Sequence, residues 1–404
     1  MSFQQGLSGL YAAAKGLDAV SNNVANAGTI GFKGAGAQFS DVYAASISGG
    51  GTGQVGIGVN VAAVRQNFTQ GNISVTNNPL DVAINGGGFF RMNNNGAIGF
   101  SRAGQFLVDK SGYIVNSAGA RLTGYIANAA GVIVPSSPVD LTVSSADLTP
   151  QATSTGNIGL NLDSRATTPA APFLYTDPTT YNSSTAMTVY DSLGNSHVQS
   201  IFFRKTAANT WAMYTVLDGA AASLTGPTAL AFDSAGALTT GMPLAALNYV
   251  LANGATTPLP IAMDFTGSTQ FGATFGVNRM VQDGYTSGRL SGLSIASDGV
   301  VQGRYSNGQT RDLGQIVLAN FANPNGLQSQ GGNMWIETSS SGQPLVGTPD
   351  TGSLGALQAA AIEESNIDLT GELVNMITAQ RNYQANAQSI KTQDAILQTL
   401  VNLR

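Results

Sequence analysis

Chemistry at a protein site needs groups that exchange protons, hold a metal or cradle a phosphate, and this chain carries few in a usable pattern. His197 is its only histidine, so no histidine pair within one chain can bind a metal or relay a proton. It follows the turn at Gly194-Asn195, where a surface side chain is expected rather than a catalytic base. The adjacent carboxylates Glu363-Glu364 read as a solvated pair just ahead of a C-terminal helix, with no partner nearby. Gly51-Thr52-Gly53-Gln54-Val55-Gly56 matches the spacing of a dinucleotide-binding loop. That chemistry needs a strand before the loop and a helix after it. Here Gly58-Val59-Asn60-Val61 alternates like a strand, so the run reads as a flexible glycine-rich loop. With no P-loop, nucleophile elbow or zinc spacing, the expectation is a protein that is not an enzyme, with no catalytic residue, no cofactor and no metal.

Composition narrows the class further. Charged residues are 10% of 404 and the formal net charge is -5, which provides no basic field for nucleic acid or an anionic membrane. No stretch reaches the apolar length of a spanning helix, so membrane insertion is not expected. Cysteine is absent, which excludes disulfide frameworks and thiolate metal sites and is compatible with crossing between redox compartments. The N-terminus has no Sec-type signal, its first basic residue being Lys15. Composition alone would place the chain in the cytoplasm. Its length predicts two or three domains, and fifty glycines with few aromatics fit a β-rich structural protein.

The elements that stand out are at the ends. Phe3, Leu10, Leu17 and Val24 are seven apart, and Leu7, Ala14 and Ser21 form the interleaved row, the seam of a coiled-coil helix. Ser2 with Gln5 fits a capping box, and Gly28 fits a left-handed C-terminal closure. The C-terminal end repeats the device, with Leu369, Met376, Tyr383, Ile390 and Leu397 in one row and Leu373, Gln380, Ala387, Asp394 and Val401 in the other. Gln380 and Asp394 are polar seam positions of the kind that fix register, and Asp368 or Thr370 can cap the start. Little charge lies outside either seam, so these rows are read as self-assembly surfaces between copies rather than a hairpin within a monomer.

Everything between reads as β structure. Turn signals recur at Asn95-Gly96, Asp109 to Gly112, Asn116 to Gly119, Asp191 to Asn195, Asp298-Gly299 and Asn307-Gly308, with short apolar segments between them. From about Ala146 to Thr185 the chain is rich in Thr, Ala, Pro and Ser and reads as a domain boundary followed by loose surface structure. A secreted adhesin or glycan-binding module would need exposed aromatics, for which Trp211, Tyr214 and Tyr181 are the candidates, although strand-core packing explains Trp211 and Tyr214 more simply.

Ser21-Asn22-Asn23-Val24-Ala25-Asn26 followed by Thr29-Ile30-Gly31-Phe32-Lys33 closely resembles the N-terminal signature of the flagellar rod and hook axial protein family. Ser365-Asn366-Ile367-Asp368-Leu369, Met376-Ile377, Gln380-Arg381-Asn382-Tyr383 and Ile390-Lys391-Thr392-Gln393-Asp394 resemble its C-terminal signature. Within the family the hook proteins are most similar, through Leu80 to Ile84 with Gly88-Phe89-Phe90, Phe100 to Phe106 and Leu313 to Phe321. A distal rod protein is the alternative, because the glycine-rich run Ser46 to Gly53 is long for a hook protein.

The resemblance implies a mainly β protein with α-helical termini in a nested architecture. The terminal heptad helices would pair as a coiled-coil inner domain (1–28 and 363–404), joined by a connecting region (29–70) to two outward β-domains. The first of these is discontinuous (71–145 and 285–362) and the outer one spans 146–284. It also implies a homopolymer of many copies, forming the flexible curved hook that transmits torque from rod to filament outside the cell. The implied partners are the distal rod protein, the hook cap protein, the hook-filament junction protein and the flagellar type III export apparatus, the last replacing a Sec signal. Gly49, Gly50, Gly51 and Gly53 would form a flexible linker between inner and outer domains.

Overall fold

A computed structural model describes residues 2–42, 56–128, 131–144 and 146–402. It divides into two compact units, the first comprising Met1–Ser144, Gly292–Arg304 and Thr310–Arg404, the second Ser145–Ser291 and Tyr305–Gln309.

In the first unit the heptad segments form α1 (Ser2–Ala25) and α2 (Leu369–Asn402), about 36 and 51 Å long at 1.5 Å per residue. Asp368 caps α2, accepting a hydrogen bond from the Thr370 amide at 3.1 Å. The start and stop of α1 differ from expectation. The Gln5 side chain donates instead to the Gly56 carbonyl at 2.6 Å, and the left-handed glycine beyond the helix is Gly31 (φ 70), not Gly28. Beside α1 lies an antiparallel ribbon, Ala35–Val42 with Gly58–Gln66. The linker glycines Gly49, Gly50, Gly51 and Gly53 fall outside the described residues.

The β body of this unit is built from both halves of the chain. Phe89–Asn94 pairs with Ala97–Ser101 through the Asn95-Gly96 turn, and its other edge pairs with Leu318–Asn320 from the returning chain. Arg121–Ile126 likewise pairs with Thr310–Ile316, and Val82–Asn85 with Ala356–Ala359. These pairings set side chains from distant sequence into one core, where Phe89, Phe100, Phe321 and Trp335 meet edge to face. A Cβ on Gly104 would collide with the Val82 carbonyl, so only glycine permits that backbone approach.

The second unit packs two four-stranded sheets. One is an antiparallel meander of Ser183–Tyr190, Ser196–Ala207, Thr210–Leu217 and Thr225–Ala231. The other orders Leu247–Tyr249, Leu259–Asp264, Thr155–Asn161 and Gly276–Gln282 and contains a parallel pair. The expected loose stretch is thus corrected in part. Thr155–Asn161 is a central strand that buries Ile158 and Leu160, and Gly156 leaves room for Met187 and Met263 to reach its backbone. Trp211 belongs to this core and donates its indole N–H to Gln270 at 2.8 Å. Tyr214 stacks on Phe173 with centroids 3.9 Å apart, and Tyr181 meets Phe202 edge-on. The aromatics that a glycan-binding face would need are engaged internally.

Candidate functional site

The two signature segments, more than three hundred residues apart in sequence, meet in the first unit. Asn23, in the last turns of α1, bonds reciprocally to Ala35, its Nδ2 donating to the carbonyl and its Oδ1 accepting from the amide, both at 2.9 Å. Asn26 accepts from the Thr29 hydroxyl at 3.2 Å. The left-handed Gly31 donates its amide to the Glu363 carbonyl at 2.8 Å. From the other end of the chain, Asn366 accepts from the Gly34 amide at 2.9 Å and donates to the Asn67 and Thr69 carbonyls at 2.7 and 3.2 Å. A Cβ on Gly34 would collide with Ile367. Asn, Gly and Ile in these motifs are therefore joint residues, tying the end of α1 and the start of α2 to the β body.

At the centre is a buried ion cluster. Lys33 is fully buried and donates to Glu363 Oε1 at 2.6 Å and to the Thr69 carbonyl at 2.7 Å. The same carboxylate oxygen accepts from the Gly71 amide at 2.9 Å. Arg102, also buried, places Nη1 3.5 Å from Glu363 Oε2 and donates from Nη2 to the Gly86 carbonyl at 2.8 Å. Burial pushes the Lys33 ammonium below its usual range, against the opposing hydrogen bond that it donates to Glu363. It lowers Arg102 in the same way, again opposed by Glu363. The solvated, partnerless reading of Glu363 is overturned: it has two cationic neighbours and no solvent exposure. Only Glu364 faces outward, where the Ser74 hydroxyl and the Asn72 amide donate to it. Lys33 and Arg102 lie within the family-like segments, where no role was expected for either. The available signal was a cation inside an apolar, glycine-flanked segment, Gly31-Phe32-Lys33-Gly34 and Ser101-Arg102-Ala103-Gly104, in a chain with so little charge.

His197 is also not a free surface side chain. Its ring is 12% exposed and lies between Asp218 and Asp191. Among the described residues no group of three or more His, Cys, Asp or Glu side chains is arranged to hold a metal, and no helix is long and apolar enough to cross a membrane.

The contact between the helices includes small residues of α1. A Cβ on Gly6 would lie 3.1 Å from Ile390 Cγ1, and one on Gly9 would lie 2.7 Å from Asn386 Oδ1. Gly9, Ala12, Ala13 and Gly16 line a cavity of about 630 Å³ shared with Ala379 and Asn386. Small residues let the helix axes approach closely, and the row Phe3, Leu7, Leu10, Ala14, Leu17 and Val24 lies roughly a third of a turn away on α1. On α2, Leu369, Leu373 and Leu397 are 47%, 44% and 54% exposed, and Tyr383 is 38% exposed. Gln380 and Asp394 are exposed, Met376, Ala387 and Ile390 are half-buried, and the Val401 side chain falls outside the described residues. Of these residues, the glycine contacts bring only Ile390 against α1.

A hydrogen-bonded joint between the two ends of the chain and exposed apolar side chains along α2 describe a building block. Four family models match in order along the chain. They are Flagella basal body rod protein (residues 3–33), Flagellar hook protein FlgE/F/G D1 domain (83–146), Flagellar basal body protein FlaE D2 domain (161–285) and Flagellar basal body rod FlgEFG protein C-terminal (358–403). They define a structural protein of the flagellar rod and hook class, not an enzyme. The flagellar hook protein FlgE of Salmonella typhimurium is 45% identical over 414 residues, and that of Escherichia coli 44% over 412, each alignment covering 100% of both chains. That of Borreliella burgdorferi is 34% identical over 447 residues, covering 100% of this chain and 99% of its own. The crystal structure of Helicobacter pylori flagellar hook protein FlgE2 shares the fold, with a TM-score of 0.51 at 13% identity, covering 70% of this chain and 99% of that one. The chain belongs to the flagellar hook protein FlgE family and is a structural subunit of the flagellar hook.

Proposed function

We propose that copies of this chain polymerise through α1 and α2 into a flexible tube, in which the helices form an inner coiled-coil domain and the β-domains lie outward. The observation that carries this is the burial balance of the helices. α1 contributes only Ala12 to the buried apolar residues, and the described part of α2 contributes none. A helix of this length with no buried face is marginal in water, and Leu373, Val374, Ile377 and Ile396 stand 44–58% exposed. Packing against other copies would bury these rows and supply the missing stabilisation. In this reading the inner domain spans 1–28 with 363–404, the connecting region 29–70, the first β-domain 71–145 with 285–362 and the outer β-domain 146–284.

The same reading places the subunit outside the cell, exported by the flagellar type III apparatus and joined to a distal rod protein, a hook cap protein and a hook-filament junction protein. Bending a rotating tube requires neighbours to approach on one side and separate on the other each turn. Low-charge outer surfaces serve that sliding, while the helices supply axial cohesion. Introducing lysine at both Leu373 and Ile377 places charge on a face meant for burial. The variant is expected to fold as a monomer yet form no tubes by electron microscopy and sedimentation, and tubes of ordinary length would refute the assignment. For the linker, replacing Gly49, Gly50, Gly51 and Gly53 by proline restricts the backbone and is expected to leave tubes that assemble but stay straight. Unchanged curvature in micrographs would count against a hinge there.

A further inference from the structure

The function of a tube subunit leaves a half-buried titratable cluster unused in the second unit, formed by His197, the buried Asp191 and the more exposed Asp218. His197 Nδ1 lies 2.6 Å from Asp218 Oδ2, and Nε2 lies 3.3 Å from Asp191 Oδ2. Both neighbours are carboxylates and can only accept, so the ring satisfies both when it carries two N–H groups, as the imidazolium. Asp191 is itself an anchor. It accepts from the Leu193 and Asn195 amides at 2.9 Å, shaping the turn between Ser183–Tyr190 and Ser196–Ala207, and from the Asn195 and Asn253 side chains. Asp218 accepts from the Val198 amide at 2.8 Å at the end of Thr210–Leu217. The loop at Asn253 is further held by the Thr256 amide donating to Ser192 at 2.8 Å. Three connections therefore converge on one imidazole, and the charged groups facing it are Asp191 and Asp218.

The turn it fixes braces the segments by which the chain enters and leaves this unit. A Cβ on Gly194 would lie 2.9 Å from Pro150 and 3.3 Å from the Ser287 backbone nitrogen, and those segments are paired through Gln151 and Tyr285 and through Leu148 and Gly288. We propose that His197 is a pH-dependent clamp: its doubly paired imidazolium locks the 191–195 turn against the entering and leaving segments, and loss of the proton loosens them together. Burial opposes its charge, but the hydrogen bonds to Asp218 and Asp191 outweigh burial and raise its pKa above the ordinary 6.5. For a raised pKa, the stabilisation is complete below the unfolded value and is lost as pH rises through the folded value. Asp191 acts in the opposite direction. Burial works to raise its pKa, yet the bonds from Asn195, Asn253 and His197 hold it far below the usual carboxylate range, so its contribution fails only in strong acid.

Because His197 is the sole histidine, one imidazole proton resonance of the full chain reports its titration without assignment. The expected result is a midpoint above 6.5. In hydrogen exchange corrected for intrinsic rates, protection of 191–195, 148–151 and 285–288 should fall through that midpoint, by roughly tenfold for each unit by which the pKa is raised. His197→Gln should show the low-protection behaviour at every pH. Should that variant fold poorly, Asp218→Asn, at the more exposed carboxylate, should lower the midpoint and shift the protection change with it. An ordinary midpoint would overturn the clamp, as would a raised one with pH-independent protection.

Discussion

Replacing Lys33 with methionine is expected to destabilise the first unit by about 3–5 kcal/mol, the usual cost of removing one partner from a buried ion pair. The reason is what remains. Glu363 would stay fully buried with its carboxylate facing only the Gly71 amide and an Arg102 guanidinium 3.5 Å away. In a domain of this size such a loss lowers the melting transition by on the order of 10 °C. Because Lys33 and Glu363 belong to the segments that carry α1 and α2, the variant should also shed the ordered helices before the β body melts. Exchanging Lys33, Glu363 and Arg102 together for apolar residues of similar volume should restore most of the stability, since desolvation offsets much of what a buried pair gains. A methionine variant that melts with the parent would show that the cluster is dispensable, and the joint would have to be credited to Asn23 and Asn366 instead.

That joint explains why the fold was legible at its ends and less so between them. Heptad spacing marked both helices, and every turn dipeptide from Asn95-Gly96 to Asn307-Gly308 stands between strands, because these are local signals set by backbone preference. Long-range pairing carried no such mark. Nothing in Thr155–Asn161 announces a central strand, since two of its residues are glycines, Gly156 making room for Met187 and Met263 and Gly159 for Asn278. The Glu363 misreading has the same origin. Beside Glu364 it looked like one of two solvated acids, and only the fold carries Lys33 and Arg102 to it. On the helices, periodicity marks the leucine rows, whereas Gly6 and Gly9, which meet Ile390 and Asn386 within one chain, carry no such mark because their advantage is what they lack. The exposed leucines of α2, Leu369, Leu373 and Leu397, are what the proposed polymer would bury.

The second large effect concerns those helices directly. The aromatic core of the first unit and the whole core of the second contain no residue of α1, so deleting Phe3 through Val24 should leave both β cores intact while removing one of the two helices that assembly needs. The deciding measurement is electron microscopy of this truncated chain under conditions in which the full chain forms tubes, with circular dichroism recorded on the same sample. The expected result is no tubes with a preserved β spectrum, whereas normal tubes from the truncated chain would show that α1 is not needed for assembly.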